Sequence, residues 1–188
     1  MDEVRKLSHA YLDLVSKIVI LAAVLSSLFL FSNLTTEFYD TAKFLSLLAA
    51  TGILLVLFAL KSFVENKVTF IRTPLDTPLL LLLAVAIVST ALSPAPFVSI
   101  LGNQLKLHLS LTSLIVYVLF YFMLVNLLKG AKEIKNILYI ITLAGAALAV
   151  VTLLAYFKVK LLPSPWVHGI NFTPTGSSFS TAAVLALL

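Results

Sequence analysis

The sequence predicts an all-α membrane protein, a single membrane domain with five complete transmembrane helices, the start of a sixth, and an amphipathic interfacial helix in front of them. Three observations predict it. Hydrophobic residues make up 61% of the chain and charged residues 11%, against roughly 25% charged in a soluble domain, so lipid has to cover most of the apolar surface. Apolar runs close to the ~20 residues of a bilayer crossing recur along the chain, punctuated by proline, glycine and charged loops. The thirteen Lys and Arg are dispersed over short loops, which is the pattern of membrane topology. A nucleic-acid binder would instead gather them into a stripe, so the net charge of +5 does not indicate nucleic acid.

Taken in order, residues 2–17 read as an amphipathic helix. Val4, Leu7, Tyr11, Leu14 and Ile18 recur every three or four residues, opposite Asp2, Arg5, Lys6, His9 and Asp13. Such a helix lies at the membrane interface ahead of the first span; the alternative is docking to a partner. Spans follow at about 18–31, 44–60, 75–92, 109–128 and 137–157, and an incomplete sixth run at 180–188. Span three is the best marked. Pro78 to Leu92 holds no charge, Asn, Gln or Gly, and Pro74, Pro78, Pro94 and Pro96 bracket it. A tight turn from Lys129 to Lys135 separates spans four and five, and a longer loop, residues 158–179, leads to the last run. That run covers only about 13 Å at 1.5 Å per residue, against a hydrocarbon core of about 30 Å, so the expected whole is longer than this chain. A short re-entrant tail is the alternative.

Sorting Lys and Arg by loop places nine on one side (5, 6, 17, 61, 67, 72, 129, 132 and 135) and four on the other (43, 106, 158 and 160). The positive-inside rule makes the first side, with the amino terminus, cytoplasmic. The first apolar run lacks a small-residue cleavage site and is expected to stay as a span.

Several chemistries are excluded or disfavoured. With no cysteine there is no disulfide, thiolate nucleophile or thiolate metal site, and three dispersed His make a metal centre improbable. No cofactor is expected. No span carries an ionisable residue in its core, which weakens an ion-coupled carrier. Small residues four apart (Ala22 with Ser26, Ser46 with Ala50, Gly145 with Ala149, and Ser178 with Ala182 and Ala186) permit close helix packing.

Polar groups cluster in two places on the expected outer side. Ser99, Gly102, Asn103, Gln104, Lys106 and His108 form the first; Lys106 and His108 suit a phosphate, Asn103 and Gln104 a sugar or headgroup. A solvated loop with a snorkelling lysine is the plainer reading. The second holds Lys158, Lys160, Trp166, His168, Asn171 and the turn Pro174-Thr175-Gly176-Ser177. Trp166 belongs to an interfacial aromatic belt, His168 titrates near neutrality, and the turn frees amides at a helix start. Asn33-Leu34-Thr35 and Asn171-Phe172-Thr173 match the glycosylation acceptor pattern by chance occurrence unless the source is eukaryotic. The binding candidates are Asn103, Lys106, His108, Lys160 and His168.

The order of features is more telling than any one motif. A basic loop, RTPLDTPLLLLL, a span ending in STALSPAP, then FVSILGN and a long aromatic-rich span, and later NFTPTGSS opening another span, resembles the O-antigen ligase and polymerase superfamily of bacteria. The resemblance covers nearly all of this chain but the front half of a typical member. It implies a GT-C-like glycosyltransferase of polysaccharide biosynthesis in the cell envelope, set in the inner membrane. Such an enzyme moves a glycan from an undecaprenyl-diphosphate carrier to an acceptor on the outer face, without metal or nucleotide sugar. Its partners would be membrane lipids, the lipid-linked glycan carrier and the acceptor, and not nucleic acid. Family catalytic residues sit in a large outer loop beyond this chain, so none is carried over, and the fragment alone is expected to be inactive. From a different class, the alternative is a complete small multi-spanning membrane subunit acting as a scaffold or transporter half.

Overall fold

A computed structural model of the chain describes residues 2–32, 39–103, 107–128, 130–157, 159 and 173–187. It is all-helical: α1 (Asp2–Phe29), α2 (Asp40–Glu65), α3 (Asp76–Ala91), α4 (Pro96–Leu101), α5 (Leu111–Leu127), α6 (Ala131–Tyr156) and α7 (Ser178–Leu187), with a 3₁₀ turn at Leu107–Leu109 before α5. Among the described residues, three helical segments are long and apolar enough to cross a membrane: Leu7–Phe29 of α1, α2 and α6. Helices α3 and α5 are equally apolar but shorter, 16 and 17 residues.

The first departure from expectation lies in α1. Residues 2–17 are not a separate interfacial helix, because the helix runs unbroken through Lys17 and Ile18 to Phe29. Its apolar stripe also faces outward: Leu7, Tyr11, Leu14 and Ile18 are 71, 68, 55 and 55% exposed. Ser16 is buried, and the polar side chains beside it reach other helices. Asp13 pairs with Lys61 of α2, His9 lies 3.6 Å from Glu65 of α2, and Lys17 lies 2.7 Å from Glu133 of α6. In water an amphipathic helix turns its apolar face to the core. Against lipid, which is itself apolar, packing and polar pairing decide the face instead.

These pairs set α1 and α2 antiparallel, and at their other end Ser26 and Ser46 share a hydrogen bond of 2.9 Å. Close approach at small residues thus holds for Ser26 and for Ser46 with Ala50, while Ala22 is exposed; on α6 Gly145 is buried and Ala149 partly covered. It does not hold for Ser178, Ala182 and Ala186, which are exposed; Thr181 is the buried residue of α7. The core is built where α1, α2 and α5 meet, from Ile20, Leu54, Leu57, Met123, Leu127 and Leu128, with Phe58 and Phe120 against it.

Helix α3 has no buried residue. Its partly covered positions are Asp76, Leu79, Leu83, Ala86 and Thr90, a stripe at alternating spacings of three and four that marks one packed face. That face meets α5 antiparallel. Thr73, just before α3, shares a 2.6 Å hydrogen bond with Tyr121, and Ser89 and Thr90 share a cavity wall with Ser110 and Tyr117. Between α2 and α3 the chain crosses as a strap. Asn66 ends α2 in the left-handed conformation, which Asn tolerates. Phe70 then packs edge-on to Phe58 (6.4 Å) and tilted on Phe122 (5.7 Å), and the buried Asn126 accepts the Ile71 amide at 2.7 Å.

Two expected loops prove partly helical. The stretch between spans three and four contains α4 and the 3₁₀ turn, and the lysine-bearing turn after α5 is shorter than expected, since Lys132, Glu133 and Lys135 belong to the first turns of α6. Seven of the thirteen sorted cations have their side chains among the described residues. Lys17, Lys61, Lys67, Arg72, Lys132 and Lys135 gather at one end of the bundle and Lys43 lies at the other.

Candidate functional site

At the Lys-poor end, α3 and α4, joined in the smaller case by the start of α5, line two adjoining open cavities of about 810 and 390 Å³ that share Ser89, Thr90 and Ser99. The local sequence explains the shape. Proline disfavours helix for the residue before it, so Ser93-Pro94-Ala95-Pro96 turns the chain, and Pro96 then starts α4 where a missing N–H costs nothing. Ser93 Oγ accepts from the Ala95 amide (3.2 Å) and from Ser99 Oγ (2.8 Å), which closes the elbow. Thr112 donates to the Ile100 carbonyl (2.7 Å) and ties the end of α4 to α5.

The opposite wall is the capped start of α5. Ser110 Oγ accepts the Ser113 amide at 3.2 Å, while Ser113 Oγ accepts the Ser110 amide at 3.1 Å, a reciprocal box that satisfies two amides lacking helical partners. Ser113 Oγ also donates to the His108 carbonyl at 2.7 Å, which holds the 3₁₀ turn carrying His108. The half-buried His108 lines the smaller cavity, with Nε2 4.0 Å from the Asp40 carboxylate at the start of α2. Tyr117 lines it too, and rests edge-on against Phe44 at 6.5 Å. The larger cavity is walled mostly by apolar atoms of Ala84, Val85, Val88 and Leu92. The arrangement offers a hydrocarbon wall, a row of hydroxyls and one imidazole with a carboxylate 4.0 Å away. That suits an amphiphile whose polar part is rich in hydroxyl or phosphate oxygens.

Of the residues expected to bind, His108 reaches this cavity, and Asn103 is exposed at the end of α4. Lys106, Lys160 and His168 lie outside the described residues, as do Gln104, Lys158, Trp166, Asn171 and the acceptor Asn33. Ser99 of the first cluster is on the cavity wall, and Gly102 ends α4 with φ 82°. The turn before α7 is closed on itself. Thr173 and Thr175 are buried, Thr175 bonds Thr181 at 2.5 Å, and Ser177 Oγ accepts the Ser180 amide at 3.0 Å. Among the described residues the cations at this end are Lys43, whose Nζ stands 6.0 Å from the centre of the Tyr39 ring, and His108 when protonated.

Reasoning from sequence missed Ser89, Thr90, Ser93, Ser110, Ser113 and Tyr117. A signal existed in the hydroxyl-bearing STALSPAP and LSLTS segments at two helix ends, but their convergence depends on α3 and α5 packing antiparallel. It also missed the paired charges at the opposite end: Lys61, 6% exposed, sits inside α2 and is matched by Asp13 from a distant turn of α1. Among the described residues no group of three His, Cys, Asp or Glu could hold a metal ion. No family model matches this chain, and neither a curated protein nor a solved structure does.

Proposed function

We propose that this chain is part of an O-antigen ligase-like membrane glycosyltransferase, which moves a glycan from an undecaprenyl-diphosphate carrier to an acceptor on the outer face of a bacterial inner membrane. In this reading α3 and α5 join the three longer helices as spans, α7 opens a sixth, the bundle is GT-C-like, and the Lys-rich end with the amino terminus is cytoplasmic. Sixteen or seventeen residues cover about 24–26 Å, a few ångström short of the hydrocarbon core, a mismatch met by local thinning of the bilayer. The observation that carries the reading is the cavity at the Lys-poor end, where an apolar wall meets hydroxyls and an imidazole. A polyprenyl chain suits the wall, and sugar or phosphate oxygens suit Ser89, Thr90, Ser99 and His108.

Chemically the transfer inverts the sugar. An acceptor hydroxyl attacks the anomeric carbon as the diphosphate leaves, and fixed cations stabilise the leaving group without a metal. In this reading His108, 4.0 Å from Asp40, takes the acceptor proton or binds phosphate, with Lys106, Lys160 and His168 as the further cation candidates and Asn103 as a hydrogen-bonding one. The test is transfer by the full protein reconstituted with an undecaprenyl-diphosphate-linked glycan and its acceptor. His108→Ala and Ser99→Ala should each lower transfer at least about tenfold while leaving expression and helicity intact. Unchanged transfer in both variants sinks the assignment of this cavity.

One observation favours a second reading, a small subunit acting as a scaffold or transporter half. Helix α3 has no buried residue, so most of its apolar surface is left for a partner. Co-isolation of one stoichiometric membrane partner with the 188-residue chain, together with no transfer activity, would select it.

A further inference from the structure

Another cavity, of about 520 Å³, lies at the opposite, Lys-rich end where the strap enters α3. Its polar rim is Arg72, Thr73, Asp76 and Thr77; Leu80 and Phe122 line its deeper wall. It is a built site. The strap is pinned by the Ile71 amide on the buried Asn126, by the Thr73 hydroxyl on Tyr121, and by Phe70 wedged between Phe58 and Phe122. Asp76 is held in turn, its two oxygens accepting the Thr73 amide (3.0 Å) and hydroxyl (2.5 Å). A carboxylate offers about four lone-pair sites, so two such bonds orient Asp76, which lines the cavity, and leave it further acceptor capacity.

The rim therefore presents one fixed anion and, four residues away, one exposed cation, above an apolar crevice between α3 and α5. A simple anionic lipid would meet Arg72 favourably but Asp76 unfavourably. A headgroup carrying a phosphate and a primary ammonium matches both, with its acyl chain lying along Leu80 and Phe122. We infer that this cavity binds the headgroup of a zwitterionic aminophospholipid, with Arg72 on the phosphate and Asp76 on the ammonium. The position agrees with this occupant, since the first residues of an apolar helix lie at headgroup depth. Arg rather than Lys at the phosphate position allows two parallel hydrogen bonds to neighbouring phosphate oxygens.

The test uses the full chain purified in detergent and offered phosphatidylethanolamine, phosphatidylglycerol or phosphatidylcholine with identical acyl chains, bound lipid being counted by native mass spectrometry. Phosphatidylethanolamine should be retained about tenfold more tightly than phosphatidylglycerol, the worth of one charge-assisted hydrogen bond. Phosphatidylcholine, whose ammonium has no N–H to donate, should fall between them. Asp76→Asn, which keeps an oxygen for the Thr73 amide, should bring phosphatidylethanolamine down to the phosphatidylglycerol level. Arg72→Gln, at an exposed position, should weaken both. Equal or tighter binding of phosphatidylglycerol by the unaltered chain overturns the assignment, and this arm needs no substitution that could affect folding. Persistence of the preference in Asp76→Asn, or undiminished binding of both lipids by Arg72→Gln, overturns it as well. Displacement by an equal concentration of soluble phosphoethanolamine would overturn the lipid assignment in favour of a soluble zwitterion.

Discussion

Removing Asp13 should destabilise the bundle more than removing the lysine it neutralises. Lys61 is 6% exposed, and its ammonium meets the Asp13 carboxylate from one turn of α1. Breaking a fully buried pair by deleting one partner costs about 3–5 kcal/mol, chiefly because the remaining charge is stranded. Asp13 is 40% exposed, so solvent already screens part of the attraction and the cost falls below that range. Asp13→Ala is therefore expected to cost about 2 kcal/mol, roughly a thirtyfold shift in the folding equilibrium. Lys61→Met keeps a side chain of similar length without charge, and the carboxylate it leaves behind can turn to water. It should cost no more than about 1 kcal/mol. The double variant should match Lys61→Met alone, giving a coupling energy of about 2 kcal/mol in the cycle. Reversible unfolding in mixed detergent and SDS micelles, followed by circular dichroism, measures all four corners. If Asp13→Ala shifts the unfolding free energy by less than about 0.5 kcal/mol, or if Lys61→Met is the more harmful, Asp13 does not hold the buried ammonium and the reasoning fails.

Two further outcomes test the packing. Asn126→Leu removes the acceptor of the Ile71 amide and should free the strap at about 1–2 kcal/mol, read as faster trypsin cleavage after Lys67 and Arg72; an unchanged cleavage rate would show that the aromatic contacts of Phe70 suffice. Gly176 has φ 98°, and a Cβ there would stand 3.1 Å from the Tyr39 ring, so Gly176→Ala should lower stability by about 1–2 kcal/mol. Gly52, inside α2 with open space around its would-be Cβ, is the matching control: Gly52→Ala should raise stability by about 0.5–1 kcal/mol, and equal effects at the two sites would contradict the packing described.

Much of the architecture can be read locally. The prolines around α3 and the serines at 110 and 113 mark helix ends by their own backbone chemistry, and observed boundaries there lie within a few residues of those expected. Boundaries drift outward where a charged flank can be helical too: Lys132 and Lys135 read as turn residues, yet they continue α6 because Glu133 finds Lys17. The candidate site was half legible. His108 and Ser99 are polar residues in a short inter-helix stretch, whereas Ser89 and Ser113 stand 24 positions apart and come together by the antiparallel packing of two helices whose apolar runs carry no register signal.

By itself, the sequence determined that this chain is a set of apolar helices in a membrane, where they break, and how its basic residues divide between two ends, because length, composition and proline act within a few residues. The tertiary structure alone decided which way α1 faces. Its stripe of Leu7, Tyr11, Leu14 and Ile18 points outward because lipid accepts apolar side chains as readily as a protein core does. His9, Asp13 and Lys17 turn inward because Glu65, Lys61 and Glu133 wait on α2 and α6, and a charge held among apolar helices needs a partner at one particular place.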